Sequence, residues 1–313
     1  MRLPAAALLA LSVCSVRAQS TCSIYFAGDM MQHKAQISAA RMPDGTYSYA
    51  DCFTHMLPEI SGADAAVCNF ETTLAGRPFT GYPQFCSPVE FATAVRDAGF
   101  DVFLTANNHC MDRGSRGLVR TIEVLDSLGV SHLGTYRDAA ERDSLTPFML
   151  ECNGIHIALL NYTYDTNGIQ VSPPRIVNYI DTTVIASDIR KARARQADCV
   201  IACMHWGTEY RTEPDRQQIE LERWLYENGV DHVIGGHPHV VQPTAVRRHP
   251  YYAADCLTVW SLGNYISNMS APRTDHGLAV TLHLKKTGNV TVMTGYDLHP
   301  NRVDRTRFTV LPE

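Results

Sequence analysis

Val230-Asp231-His232-Val233-Ile234-Gly235-Gly236-His237-Pro238-His239 is an apolar run that closes on two glycines, followed by two histidines flanking a proline. The run predicts a buried strand, and the glycines, histidines and proline at its end predict a tight loop. In extended chain, alternate side chains point to opposite faces, but glycine before the pair and proline inside it let both imidazoles converge. Four other polar clusters each follow an apolar, strand-like run: Gly28-Asp29, Asn69-Phe70-Glu71, Ala106-Asn107-Asn108-His109 and His205-Trp206-Gly207. Strand, polar loop and amphipathic helix alternate along most of the chain, which is the signature of an α/β layered fold. In such a fold the loops leaving the carboxyl ends of the strands gather at one rim and build the site there.

Strands are expected over 24–27, 63–68, 101–105, 199–204 and 258–262. Helices are expected over 53–60, from the Ser87-Pro88-Val89-Glu90 capping box to Gly99, from after His109 to Gly129, over 185–197, and around Leu221, Trp224 and Leu225 up to Gly229. Asn153-Gly154 between two apolar runs predicts a hairpin. Residues 162–181, with Pro173-Pro174 and little periodicity, are expected to form a long surface loop, a candidate lid. Runs 278–284 and 290–296 predict strands, so the C-terminal part turns mainly β.

At 313 residues and 45% hydrophobic composition the chain can bury a large core, and one domain over 19–313 is expected. The first 18 residues read as a secretory leader: Arg2, the apolar stretch Ala5 to Val13, and a small-x-small site at Val16-Arg17-Ala18, with cleavage after Ala18. Arg17 interrupts the stretch before the roughly 18 to 20 residues needed to span a bilayer. An exported protein, periplasmic or extracellular, is the expectation. The formal charge of −5 and the lack of a basic run argue against nucleic acid as partner. Cys22, Cys52, Cys86 and Cys110 are the better disulfide candidates, while Cys68, Cys152, Cys199, Cys203 and Cys256 lie in apolar runs and read as buried thiols.

Carboxylate, amide oxygen and imidazole together suit a borderline divalent ion, manganese, zinc or iron(II), better than a thiolate site would. One or two ions fit the set, with Glu71 able to bridge. Such an ion acidifies a bound water and clamps a developing oxyanion, leaving His109 to donate a proton. Bland readings compete: Asp29 and Glu71 as helix caps, Asp112 as a cap for the following helix, Trp206 and Tyr210 as packing, Asn264 as a turn residue or a hydrogen-bonder at the rim. Glu209, four residues after His205, is placed to orient an imidazole or to act as a base.

The ordered set Gly28-Asp29-Met30-Met31, Asn69-Phe70-Glu71, Ala106-Asn107-Asn108-His109 with Asp112 and Gly114, His205-Trp206-Gly207-Thr208-Glu209-Tyr210, Gly236-His237-Pro238-His239-Val240 with Gln242, and Ser261-Leu262-Gly263-Asn264 closely resembles the CapA family of poly-γ-glutamate capsule synthesis proteins. The resemblance spans roughly Ile24 to Asn268. It implies a four-layer α/β/β/α sandwich similar to the calcineurin-like metallophosphoesterases, and a role in making, tethering or processing an anionic envelope polymer. It also implies a metal set: Glu71, Asn108, His205 and His237 at one position, Asp29, Glu71 and His239 at its neighbour, with Met31 where a histidine is usual. His33 is the nearest substitute by position, though it is expected one turn into the next helix. Implied partners are the anionic polymer or a phosphoester, and a membrane-bound capsule synthesis complex. Three functions remain open at this point: metal-dependent hydrolysis or transfer, a non-catalytic polyanion-binding assembly factor, and a secreted metallophosphatase unrelated to capsule.

Overall fold

The computed structural model describes residues 19–313, so the expected leader and its cleavage site lie outside the described residues. In chain order the elements of the first half are β1 (Gln19–Met30), α1 (Lys34–Ala39), α2 (Leu57–Ser61), β2 (Ala65–Phe70), α3 (Val89–Asp97), β3 (Val102–Leu104), α4 (Gly114–Leu128), β4 (Ser131–Leu133), β5 (Thr135–Tyr136) and α5 (Ala139–Leu145). The second half holds β6 (Phe148–Cys152), β7 (Ile155–Thr163), β8 (Ile176–Val177), α6 (Thr182–Ala194), β9 (Cys199–His205), α7 (Arg216–Glu227) and β10 (His232–Gly236). Strands close the chain: β11 (Thr244–Arg248), β12 (Asp255–Val259), β13 (Asn264–Ile266), β14 (His276–Thr287), β15 (Val290–Asp304) and β16 (Thr309–Pro312).

Two sheets carry the architecture. One runs β16-β15-β14-β1-β2-β3-β4 with β13 also paired to β1; the other runs β11-β12-β10-β9-β7-β6. Strands β1 to β4 are mutually parallel, as are β7, β9, β10 and β12. Period-two alternation sorts the side chains into layers. From β1, Ile24 and Phe26 face the space between the sheets, with Ile155, Ile157 and Leu159 of β7 and Ile201 and Cys203 of β9. The opposite faces carry Tyr25 and Ala27 against Phe91 and Val95 of α3, and Leu160, Val200 and Ala202 against Ile185 and Ile189 of α6 and Leu225 of α7. The result is the four-layer α/β/β/α sandwich, with its C-terminal part mainly strand. Among the described residues no helix is long and apolar enough to cross a membrane.

Several local expectations are corrected. The helix expected over 53–60 is only Leu57–Ser61, with Pro58 in its first turn and turns before it. Ser87 does not cap α3: the N-cap is Pro88, and the Ser87 hydroxyl bonds that of Thr72 at 2.8 Å instead. The disulfide is Cys22–Cys152, while Cys52, Cys86 and Cys110 are buried free thiols. Cys152 ends β6 in one sheet and Cys22 lies on β1 of the other, so their pairing comes from sheet stacking, which spacing does not disclose. The Asn153-Gly154 turn joins β6 to β7 with φ 51° and 80°, the left-handed pair that a two-residue hairpin needs.

Candidate metal centre

Asp29 near the end of β1, Glu71 one residue past β2, Asn108 and His109 past β3, His205 closing β9, and His237 and His239 past β10 all leave the carboxyl ends of parallel strands. The two sheets present these ends at a common rim. Strand β1 bulges between Ala27 and Asp29, where Gly28 lies so close to Gly263 that a Cβ on it would fall 2.0 Å from the carbonyl oxygen. Past β10, His237 and His239 hold φ of 96° and 59° around Pro238. Left-handed backbone at two non-glycine residues costs of order 1–3 kcal/mol each and recurs at functional sites. Gly236 lets this loop meet β1: a Cβ there would lie 2.8 Å from Asp29 Oδ1.

All six expected ligands are buried. One ligand atom each from Asp29, Glu71 and His205 lie within 4.8 Å of one another, as do atoms of Glu209, His237 and His239. Glu71 Oε1 lies 3.8 Å from His205 Nε2 and 3.9 Å from His239 Nε2, between the two rings. Asn108 Oδ1 is 2.9 Å from His205 Nε2. Asp29 Oδ2 takes the His237 backbone N–H at 3.3 Å and stands 3.1 Å from His239 Nδ1, which is also 3.0 Å from Asn264 Oδ1. With acceptors on Nδ1, the proton of His239 belongs there, and Nε2 keeps its lone pair toward Glu71. His237 and His239 also stand with Glu209, an exposed carboxylate brought within ligating reach of both rings.

The chemistry of the pocket fits a divalent cation. Glu71 Oε1 and His237 Nδ1 are buried with no hydrogen-bond partner, an arrangement that costs free energy unless something electron-poor lies between such atoms. Burial first, then the Asp29 and Glu209 carboxylates, push the Glu71 carboxyl well above its ordinary range. Burial and the neighbouring imidazoles hold His205 well below its ordinary value, and push His237 down to about 3. Neutral imidazoles keep lone pairs for a metal, and a dication offsets the carboxylate repulsion at Glu71.

His109 stands beside the ligands rather than among them. Its Nδ1 is 2.8 Å from Asp112 Oδ2, which also accepts the Phe85 backbone N–H at 2.6 Å. Asp112 is therefore not the cap of α4, whose N-cap is Arg113; it orients His109 and leaves Nε2 free. Residues 162–181 are not one surface loop: Tyr162 and Thr163 are buried in β7 and Ile176–Val177 form β8, while between them Tyr164 packs on His237 with ring centroids 4.4 Å apart and Asn108 Nδ2 donates to Asn167 Oδ1 at 3.3 Å. Asn69, to which sequence alone assigns no individual role, donates from Nδ2 to Asp29 at 2.7 Å and to Glu71 at 3.0 Å. Gln242 accepts from Gln218 and donates to the carbonyls of Arg211 and Glu213, fixing the loop that carries Glu209. Trp206 is packing, stacked on Trp260. His33 is not inside a helix: it is the N-cap of α1, with its Nδ1 accepting from the Asn268 backbone. Met31 is buried where the resemblance leads one to expect a histidine.

Residues 23–269 match the family described as bacterial capsule synthesis protein PGA_cap. The chain belongs to that family. Similar members include the PGA biosynthesis protein CapA of Bacillus subtilis, 28% identical over 85% of this chain and 68% of its own length, and the capsule biosynthesis protein CapA of Bacillus anthracis, 26% identical over 75% and 58%. The chain thus spans between about three fifths and two thirds of these relatives. Among solved structures, a phosphatase of Mycoplasma pneumoniae superposes with a TM-score of 0.53 at 14% identity, covering 90% of this chain and 94% of its own. The calcineurin-like phosphoesterase YfkN of Bacillus subtilis gives 0.52 at 14% identity, covering 91% of each chain. This PGA_cap member therefore has the metallophosphoesterase fold.

Proposed function

We propose that this chain is exported and carries out metal-dependent hydrolysis or transfer in the making or processing of an anionic envelope polymer of the poly-γ-glutamate type. The observation that carries the reading is Glu71 Oε1, buried and unpartnered between His205 Nε2 and His239 Nε2. Asp29, Glu71, Asn108, His205, His237 and His239 would hold one or two ions of manganese, zinc or iron. A bound divalent ion would supply Lewis acidity and a nucleophile at neutral pH. His109, held through Nδ1 by Asp112, presents Nε2 to pass a proton to the leaving group. Glu209 lies at the mouth, placed to accept a proton or complete the ligand set, and Tyr164 covers His237 on the solvent side. The Cys22–Cys152 disulfide supports export, since such bonds persist in oxidising compartments.

A second reading, a non-catalytic assembly factor that binds polyanion alongside a membrane-bound synthesis complex, draws on Met31 in a ligand's place. Metal analysis of the purified protein and of the His237→Ala/His239→Ala variant separates the two: bound metal lost in the variant supports the enzyme, and near-zero metal in both eliminates it. With metal present, turnover of a γ-glutamyl oligomer supports the polymer reading. Turnover of an aryl phosphate alone points to a secreted phosphatase, and silence on both to the assembly role.

A further inference from the structure

A groove of about 650 Å³ runs along α4, walled by Arg113, Arg116, Arg120 and Arg175, with Ala75 on its floor and Glu123 at its edge. Four guanidiniums thus face one carboxylate in a chain whose formal charge is −5. Arg113, Arg116 and Arg120 recur at three- and four-residue spacing and so form one stripe. Gly117 admits the Arg113 side chain across the helix, since a Cβ there would lie 2.2 Å from Arg113 Cβ.

Arg113 and Arg175 are held in place without being neutralised. Arg113 donates to Pro78 O at 2.9 Å and Thr80 Oγ1 at 2.7 Å, and Arg175 donates to Arg137 O at 3.0 Å, all uncharged acceptors. Each keeps a buried Nε with no partner. Arg116 has no hydrogen bond or ion pair among the described residues, and Arg120 shares only an exposed contact of 3.3 Å with Glu123. Like charges gathered in a concave surface focus a positive field, and guanidinium forks match carboxylates two bonds at a time.

Two connections tie the groove to the metal centre. Helix α4 begins two residues after Asp112, the partner of His109, and Arg175 lies on the same segment as Tyr164 and Asn167. We propose that this arginine groove binds successive carboxylates of the polymer chain and leads it to the metal centre. The inference rests on the polymer reading given above and adds the surface that would recognise the chain.

Fluorescence anisotropy with labelled γ-linked polyglutamate, on the wild-type protein and on Arg116→Glu/Arg120→Glu, tests it, with inorganic polyphosphate as a second probe. Both side chains are exposed, so melting temperature and metal content should not move. The expected result is polyglutamate binding that falls with added salt and weakens about tenfold or more in the variant. Equal polyglutamate affinity in both proteins would overturn the groove and leave the polymer reading standing. Binding of polyphosphate but not polyglutamate, lost in the variant, would overturn the carboxylate assignment, and binding of neither would remove both.

Discussion

His109 Nδ1 and Asp112 Oδ2 lie 2.8 Å apart, both side chains almost wholly buried, and the same carboxylate oxygen holds the Phe85 backbone N–H. Phe85 packs edge-on against the His109 ring at 4.6 Å, so one carboxylate fixes both the imidazole and the ring beside it. That arrangement sets the tautomer as well as the position. His109→Gln should lower turnover by about 10²–10⁴-fold with metal content retained, because a positioned proton donor contributes on that scale. Asp112→Asn should lower kcat more than it raises KM and alter the pH profile, since the amide offers Nδ1 a donor as readily as an acceptor. Full activity in His109→Gln would remove His109 from this role.

Gly236 touches Asp29 more closely than any side chain would permit. Gly236→Ala places a Cβ against Asp29 Oδ1 and displaces the carboxylate that orients Asn69, His239 and the His237 backbone. Loss of such orienting contacts weakens metal binding by about 10–100-fold. Competition against a chelator measures this directly, and unchanged affinity would show that Asp29 has room to shift without consequence for the ions.

The strands that build the sandwich are legible because each carries an apolar run ended by a polar loop, and the rim comes from parallel topology. Asp29, Glu71, His205, His237 and His239 can therefore be nominated together from sequence. Asn69 is harder: its role depends on β1 and β2 lying side by side, with Asp29 opposite Asn69 in register. Asp112 reads as a cap because acids after strands usually cap the next helix, yet its three-residue spacing from His109 is a usable signal. The Cys22–Cys152 pair and the Asn264 contact to His239 join elements more than 20 residues apart in the chain, and no local pattern encodes such meetings. The short strands β4, β5, β8 and β13, of two or three residues each, go unread, whereas the equally short β3 is marked by the uninterrupted apolar triplet Val102-Phe103-Leu104.

The Cys22–Cys152 bond spans 130 residues of sequence and clips the two sheets together where β1 meets the β6–β7 hairpin. Closing so long a loop restricts the unfolded chain. Replacing both cysteines by alanine should cost about 2–5 kcal/mol, visible as a lower urea midpoint measured without reductant. A midpoint unchanged in the double variant would show that the sheets need no such clip.

His232 on β10 is buried, and its Nδ1 accepts the Leu257 backbone N–H at 3.0 Å. Burial pushes its pKa down to about 4, opposed by Asp231 and assisted by His249. An unfolded histidine titrates near 6.5, so between pH 6.5 and 4 the unfolded chain binds the proton that the folded one refuses. Stability from this residue is therefore complete above pH 6.5 and is lost as the pH falls toward 4, by about 3 kcal/mol in all. His232→Gln can keep an acceptor for Leu257 while removing the titration. Urea unfolding at pH 7.5 and at pH 5 should show a smaller loss of stability on acidification in the variant than in the wild type. Equal losses in the two proteins would mean that His232 binds its proton equally well folded and unfolded.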